Sequence, residues 1–172
     1  MEKIIIRIVE PNEFEILTQI SRQTFIDTFA ALNTAANMQQ YLEESFSPGQ
    51  LKTELENPDA KFYFALLQDN VIGYLKLNFG QGQTELRDSK SIEIERIYVL
   101  KEYQGTGVGK ELFNTALVTA KVANAAYVWL GVWEHNQMAI NFYKRNGFVE
   151  FDKHIFRLGE DEQIDVMMKL EL

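Results

Sequence analysis

Hydrophobic patterns typical of strands and of helices alternate along the chain. Apolar stretches of strand length, rich in β-branched and aromatic residues, predict strands at residues 4–9, 61–67, 71–79, 92–99, 127–132, 148–158 (with an interruption) and 164–170. Apolar positions three and four apart predict helices from about residue 14, over residues 34–45, from residue 108 and from about residue 136. Residues 50–56 can form a further short helix.

The predicted order is β-α-α-β-β-β-α-β-α-β-β. Polar, glycine-bearing residues 80–90 form a loop between the third and fourth strands. We therefore expect a mixed α/β (α+β) fold, with a single mixed sheet and helices on both faces. At 172 residues we expect one domain that spans residues 1–172.

A glycine-rich turn joins the fourth strand to the next helix. Gly105, Gly107 and Gly109 fall within five positions, just before an amphipathic helix. Such a turn brings backbone N–H groups to one point at a helix N-terminus, which favours binding of a phosphate or pyrophosphate. The spacing excludes a P-loop, because Gln104 takes the place of its first glycine and Glu111 follows Lys110. It also excludes a G-x-G-x-x-G dinucleotide loop.

Two blocks of this sequence resemble the GNAT family of N-acetyltransferases. Gln104, Gly107 and Gly109 match the family's Q/R-x-x-G-x-G/A loop. The run from Asn136 to Phe148 resembles its N-x-x-A-x-x-F-Y-x-K-x-G-F block, with Arg145 where lysine is commoner. The stretches TFIDTF, IEIERIYV, WLGVWE and NFYKRNGFV are similar to PaiA-type spermine/spermidine N-acetyltransferases over nearly the whole chain.

The resemblance implies a transferase that moves acetyl from acetyl-CoA to a primary amine by direct attack in a ternary complex. It implies cofactor contacts along the loop, on the preceding strand and on the later helix. These positions are Ile97, Tyr98, Val99, Gln104, Gly105, Thr106, Gly107, Val108, Gly109, Lys110, Asn136, Ala139, Tyr143 and Arg145. The N–H groups of the strand before the loop would serve as oxyanion donors. Lys110 and Arg145 can equally be ordinary exposed cations.

Three residues are candidates for acid–base catalysis. An amine with a pKa of about 10.4 is mostly protonated at neutral pH, so a general base helps to deprotonate it. Glu93 and Glu95 lie on the same strand face and are the candidate bases, with Glu93 slightly favoured and a bulge expected before Ile97. Both can instead be solvent-facing or ion-paired carboxylates. By resemblance Tyr143 is the general acid, whereas a core tyrosine is the alternative.

The amino-acid composition limits the classes of molecule that this protein is expected to bind. The chain has 17 Lys and Arg against 25 Asp and Glu, a net charge of −8, which argues against direct nucleic-acid binding and fits a small cationic amine. An acidic balance that only aids solubility is the alternative. With no cysteine, no apolar leader and no membrane-length segment, we expect a cytoplasmic protein without membrane contact, as monomer or homodimer. We expect no metal site, and His135 and His154 read as isolated surface or turn histidines.

The leading functional prediction is an N-acetyltransferase for spermidine or spermine. One alternative keeps the enzyme but changes the acceptor to a protein N-terminus, an amino acid or an antibiotic amine. A third possibility is a CoA-binding regulator with little turnover. Candidates for the amine pocket are Asp27, Tyr41, Trp129, Trp133 and Glu134, although the two tryptophans also suit packing in the sheet.

Overall fold

A computed structural model describes residues 2–172 as one mixed sheet flanked by helices. The strands are β1 (Ile5–Ile8), β2 (Ala60–Leu67), β3 (Asn70–Phe79), β4 (Ser91–Val99), β5 (Tyr127–Trp133), β6 (Val149–Leu158) and β7 (Asp161–Glu171). The helices are α1 (Phe14–Phe29), α2 (Ala35–Ser45), α3 (Pro48–Glu56), α4 (Val108–Val122) and α5 (Gln137–Arg145). The predicted α/β class is confirmed, and the short third helix is present.

The sheet has seven strands in the order β1-β2-β3-β4-β5-β7-β6. Every neighbouring pair is antiparallel except β4 and β5, which run parallel at the centre. The crossover between these two strands is helix α4, which packs against one face of the sheet.

Each face of the sheet buries its own apolar core, because side chains on a strand point alternately to the two faces. One core gathers α4 and α5 against β3, β4 and β5, around residues such as Leu75, Leu112 and Leu130. The other gathers α1, α2 and α3, around Leu17, Phe64 and other apolar side chains. The prediction of helices on both faces is therefore confirmed.

Two predictions about the C-terminal strands are wrong, the interruption of β6 and the start of β7. β6 is continuous rather than interrupted, because a register shift between Glu150 and Asp152 absorbs the irregularity in its pattern. β7 already begins at Asp161, so the connection between the two strands is only a tight turn with Gly159 at φ +63°. The polar residues that suggested a longer loop instead occupy the exposed start of β7.

In the part of the chain that the structure describes, residues 2–172, the helices are all too short or too polar to cross a membrane.

Candidate active site

The two parallel strands separate halfway along their length. β4 and β5 pair only at Ser91–Glu93 with Tyr127–Trp129, although both strands continue beyond this point. A cavity of about 290 Å³ opens between the separated halves, lined by residues 94–98 of β4 and residues 130–133 of β5. β4 stays paired with β3, and β5 with β7, so only the edges that face each other across the gap lack a partner strand. This gap can therefore accept a ligand that brings its own hydrogen-bonding groups.

The glycine-rich turn follows directly from the open end of β4. Gly107 is the N-cap of α4 at φ +95°, and Gly105 has φ +78°. Residues other than glycine rarely adopt these backbone conformations. A Cβ atom added at either glycine would meet no protein atom within 4 Å, so both face open space. The first N–H groups of α4 have no acceptor within the helix, and Gly107 has no side chain that could cap them.

The remaining loop residues hold the turn in shape. Gln104 Nε2 donates to the carbonyl of Val99 at 3.2 Å, which ties the loop back to β4. Thr106 Oγ1 donates to the Tyr103 carbonyl at 2.6 Å. Val108 is buried in the core, whereas Lys110 is exposed in the first turn of α4.

Glu93 is a buried carboxylate held by three donors. Its Oε2 accepts from Asn78 Nδ2 at 3.0 Å and from the Thr84 backbone N–H at 2.8 Å, and its Oε1 accepts from Thr84 Oγ1 at 2.6 Å. Burial raises the pKa of Glu93, and the Thr84 and Asn78 hydrogen bonds partly oppose that rise. Glu93 makes no ion pair with a lysine or arginine among the described residues.

Glu95 lies in a different electrostatic environment. A register shift between Lys76 and Leu77 leaves Glu95 unpaired in the ladder, which confirms the bulge expected before Ile97. The shift lets Asn78 Nδ2 reach Glu95 at 2.8 Å as well as Glu93, so the two glutamates share a face as predicted. Glu95 lies 2.5 Å from Lys76 Nζ and 3.5 Å from Arg96.

The charge balance around Glu95 keeps it ionised. Burial alone would raise its pKa, but the Arg96 and Lys76 charges outweigh this effect and lower the pKa to about 2. Glu54 from α3 completes the network, at 2.7 Å from Arg96 and 3.2 Å from Lys76. The ion-paired alternative thus describes Glu95, and Glu93 is the glutamate that is free to change its protonation state.

Tyr143 faces the cavity from the other side. Asn136 caps α5 by accepting from the Ala139 N–H at 3.2 Å, and the helix then carries Tyr143 into the cavity wall. The side chain is buried, yet its hydroxyl makes no hydrogen bond to another part of residues 2–172. Burial raises the pKa of Tyr143, so the hydroxyl stays protonated at neutral pH.

The other predicted cofactor residues divide into two groups. Ile97, Tyr98, Asn136 and Ala139 line the cavity. Val99 and Arg145 do not line it. The Val99 carbonyl accepts from Gln104 at the start of the loop. Arg145 is exposed near the end of α5, where its Nε donates to the Asn141 carbonyl at 3.3 Å.

Only part of the predicted amine pocket lies at the cavity. Tyr41 and Trp133 line it. Trp129 instead lies in the interior and donates through Nε1 to Gln83 at 2.7 Å. Asp27 accepts from Gln23 on the surface of α1, and Glu134 lies beside His135.

Sequence reasoning missed five polar residues at the cavity, which are Thr84, Glu85, Arg96, His154 and Asp165. Thr84 and Glu85 belong to the loop before β4, and His154 and Asp165 face each other across β6 and β7. His154 is half-buried in a strand and lies between two carboxylates, so its interpretation as an isolated histidine was wrong. The alternation of β6 offered the available signal, because a histidine on its inward-facing side enters the sheet interior.

Buried Gln83 fixes the loop that carries Thr84 and Glu85. Its Oε1 accepts from Trp129 Nε1 and from Ser91 Oγ, both at 2.7 Å, and its Nε2 donates to the Asp88 carbonyl at 2.9 Å. These bonds clamp the loop against β4 and β5. Thr84, the next residue, is thereby held against Glu93.

Comparison with known proteins assigns this architecture to a family. The sequence model of the acetyltransferase (GNAT) family matches residues 23–148, which is more than half of the chain. This chain belongs to the GNAT family. The family resemblance predicted from the loop and from α5 is confirmed, and the protein is a GNAT-type acetyltransferase.

Several GNAT relatives cover most of this chain. An uncharacterized N-acetyltransferase of Lactobacillus delbrueckii subsp. lactis is 40% identical over 169 residues, 97% of this chain and 98% of the relative. An N-alpha-acetyltransferase of Sulfurisphaera tokodaii is 29% identical over 82% of this chain and 86% of its own. A spermidine N(1)-acetyltransferase of Thermoplasma acidophilum is 26% identical over 83% of this chain and 86% of its own.

The GNAT fold is also found in solved structures. The PaiA N-acetyltransferase of Thermoplasma acidophilum, crystallised in complex with coenzyme A, superposes with a TM-score of 0.81. The two share 23% identity, with 99% of each chain covered. The likeness extends over the whole sheet and its helices.

Proposed function

We propose that this GNAT protein transfers acetyl from acetyl-CoA to a primary amine of a small cationic acceptor, with polyamines such as spermidine as the favoured class. The observation that carries the proposal is the gap between β4 and β5, with an unpaired tyrosine hydroxyl at its wall and a buried carboxylate beside it.

The residues around the gap suit a CoA thioester. The main-chain groups of separated β4 can hydrogen-bond an extended amide-bearing arm as a neighbouring strand would. The open glycines at 105 and 107 and the N-terminus of α4 suit a pyrophosphate. Acetyl-CoA, when bound, supplies an activated acetyl group whose transfer needs only an uncharged amine and a proton for the departing thiolate.

Glu93 is the proposed base, acting directly or through water. It is buried and held in place, and burial moves its pKa upward, towards the range in which a base works at neutral pH. Glu95 is assigned a different role, since its contacts with Lys76 and Arg96 keep it permanently charged and orient the bulge. We therefore refine the pair of candidates to Glu93 alone.

Tyr143 is the proposed acid. Its hydroxyl keeps its proton at neutral pH and has no protein partner to release before it donates. Backbone N–H groups of Ile97, Tyr98 or Val99 are proposed to stabilise negative charge that develops on the acetyl oxygen. Arg145 is exposed near the end of α5 and, like the loop glycines, lies outside the cavity lining, so it stays a proposed phosphate contact.

The acidity of the cavity supports a cationic acceptor. Glu85, Glu93, Glu95 and Asp165 line it, against Arg96 and the titratable His154. The similarity to a spermidine acetyltransferase points the same way. A protein N-terminus is the second candidate, because an N-alpha-acetyltransferase is at least as similar in sequence.

The test is release of CoA thiol from acetyl-CoA in the presence of spermidine, spermine, putrescine, a peptide with a free N-terminus or an aminoglycoside. We expect turnover with the polyamines and little with the peptide. Turnover with the peptide alone would keep the enzyme and overturn the acceptor. Absence of turnover with all five, while acetyl-CoA still binds, would count for a regulator that senses CoA.

A further inference from the structure

Three side chains form a separate charged group in the wall of the cavity. His154 Nδ1 lies 3.2 Å from Glu85 Oε1, and His154 Nε2 lies 3.3 Å from Asp165 Oδ2. The three residues come from β6, the loop before β4 and β7, so they meet only in the folded chain. None of them is needed for the acid–base steps assigned to Glu93 and Tyr143.

The contacts show what kind of group this position stabilises. A carboxylate only accepts hydrogen bonds, so an imidazole with one carboxylate at each ring nitrogen is best satisfied when both nitrogens carry protons. The His154 Nδ1 atom is nevertheless buried without a hydrogen bond of good geometry, so Glu85 acts on it as a nearby charge. The position between the two carboxylates thus favours a cation. The His154 ring satisfies this position only in part, because its Nδ1 lacks a hydrogen bond.

The sheet is shaped to leave room here. A Cβ atom on Gly131 of β5 would lie 2.9 Å from His154 Cε1 and 3.3 Å from Asp165 Oδ2, so any side chain at this position would displace the group. Trp133, two residues along, is 7% exposed and lines the same cavity. Its Nε1–H finds no acceptor within residues 2–172, as expected of a wall that is completed by a ligand or by water.

We propose that Glu85 and Asp165 form a subsite for a second cationic group of the acceptor, and that His154 is an internal cation that competes for this subsite. This inference rests on the proposed function and deepens it, because it predicts a preference for diamines over monoamines. Protonated His154 offsets one of the two carboxylate charges and occupies the position between them. With neutral His154 they are free to bind an ammonium group.

The direction of the pH effect follows from the groups that face His154. Contact with Asp165 chiefly raises the pKa of His154, and the charges of Glu85 and of Glu93 on β4 add to the rise, while partial burial opposes it. As pH rises through this pKa, the subsite loses its internal cation. A short aliphatic diamine keeps most of both charges up to about pH 9, so the preference for the diamine should increase with pH over this range.

The experiment measures KM for butane-1,4-diamine and for butylamine between about pH 6 and about pH 9 and compares their ratio. Both compounds present a primary amine on a four-carbon chain. In the wild type we expect the ratio to favour the diamine about tenfold more at the alkaline end. His154→Gln should show the alkaline preference at every pH. Glu85→Gln combined with Asp165→Asn should abolish the preference.

A second measurement separates a ligand site from a structural contact. Calorimetric binding of butane-1,4-diamine in buffers of different ionisation enthalpy should detect proton release in the wild type near neutral pH, and none in His154→Gln. Acetylation of both amines with equal KM values would overturn the subsite and leave the proposed function intact. Failure to acetylate any small amine would overturn both.

Discussion

At Tyr143 one atom can be removed at little structural cost. The hydroxyl has no partner in the protein, so Tyr143→Phe keeps the packing of α5 against the core and deletes only the proposed proton donor. We expect kcat to fall about 10²-fold or more while the dissociation constant for acetyl-CoA stays within about twofold. Steady-state kinetics together with binding calorimetry check this, and an unchanged kcat would remove the acid assignment.

Thr84 is predicted to set the pH range of the reaction. Its N–H and hydroxyl both donate to the Glu93 carboxylate and stabilise the charged form of that group. Thr84→Val deletes the hydroxyl donor, so the pKa of Glu93 should rise further. Because the base must be ionised, the acidic limb of kcat/KM against pH should move to higher pH.

Thr84→Ser is the matched control for that shift. Serine keeps the hydroxyl and should keep the wild-type profile. If both variants retain the profile, Glu93 is not the group that the acidic limb reports.

At the scale of elements, the strand–turn–helix unit from β4 to α4 depends on Gly107. Gly107→Ala places a Cβ atom in the open space before α4 and forces alanine to φ +95°. We expect at least a tenfold loss of acetyl-CoA affinity, with a modest loss of stability of about 1 kcal/mol from the left-handed conformation. Equilibrium binding and thermal unfolding measure the two effects separately.

Gly49→Ala is the control for Gly107→Ala. Gly49 lies in the first turn of α3, its added Cβ would meet nothing within 4 Å, and its φ is not positive. It should leave affinity unchanged. Equal losses of affinity in both variants would contradict the assignment of the loop.

The elements that could be predicted from sequence are those with local signals. The period of α4, the glycines before it and the capping residue Asn136 all act within a few positions, so α4 and α5 and the loop were predicted correctly. β6 was predicted as interrupted because its irregularity is resolved by a register shift against β7, which no local pattern specifies. The subsite of Glu85, His154 and Asp165 was missed for the same reason, since its members meet only through tertiary structure.

At the scale of the whole molecule, a buried charge network ties α3 to the sheet. Glu54 contacts Lys76 and Arg96, and all three side chains are largely buried. Glu54→Gln leaves both cations with Glu95 as their remaining carboxylate, so we expect the free energy of unfolding at neutral pH to fall by about 3 kcal/mol. Glu56→Gln, at the exposed end of the same helix, should change it by less than about 0.5 kcal/mol.

The same network predicts how the fold responds to acid. The pKa values of Glu54 and Glu95 are lowered in the folded state, that of Glu95 to about 2. Their contribution to stability is therefore complete above the ordinary glutamate pKa of about 4.3 and is lost as pH falls from there towards about 2. Urea unfolding between about pH 5 and about pH 2.5 should show a shallower decline in Glu54→Gln than in the wild type.

The short pairing between β4 and β5 also makes this sheet two half-sheets joined by a narrow seam. Four strands lie on one side and three on the other, and only three residue pairs of the parallel ladder connect them. A thioester arm laid into the gap would act as a splint, hydrogen-bonded to both halves. Binding of acetyl-CoA in the gap would then make the whole sheet more rigid. The protein would be most stable while it holds the reactant that it consumes.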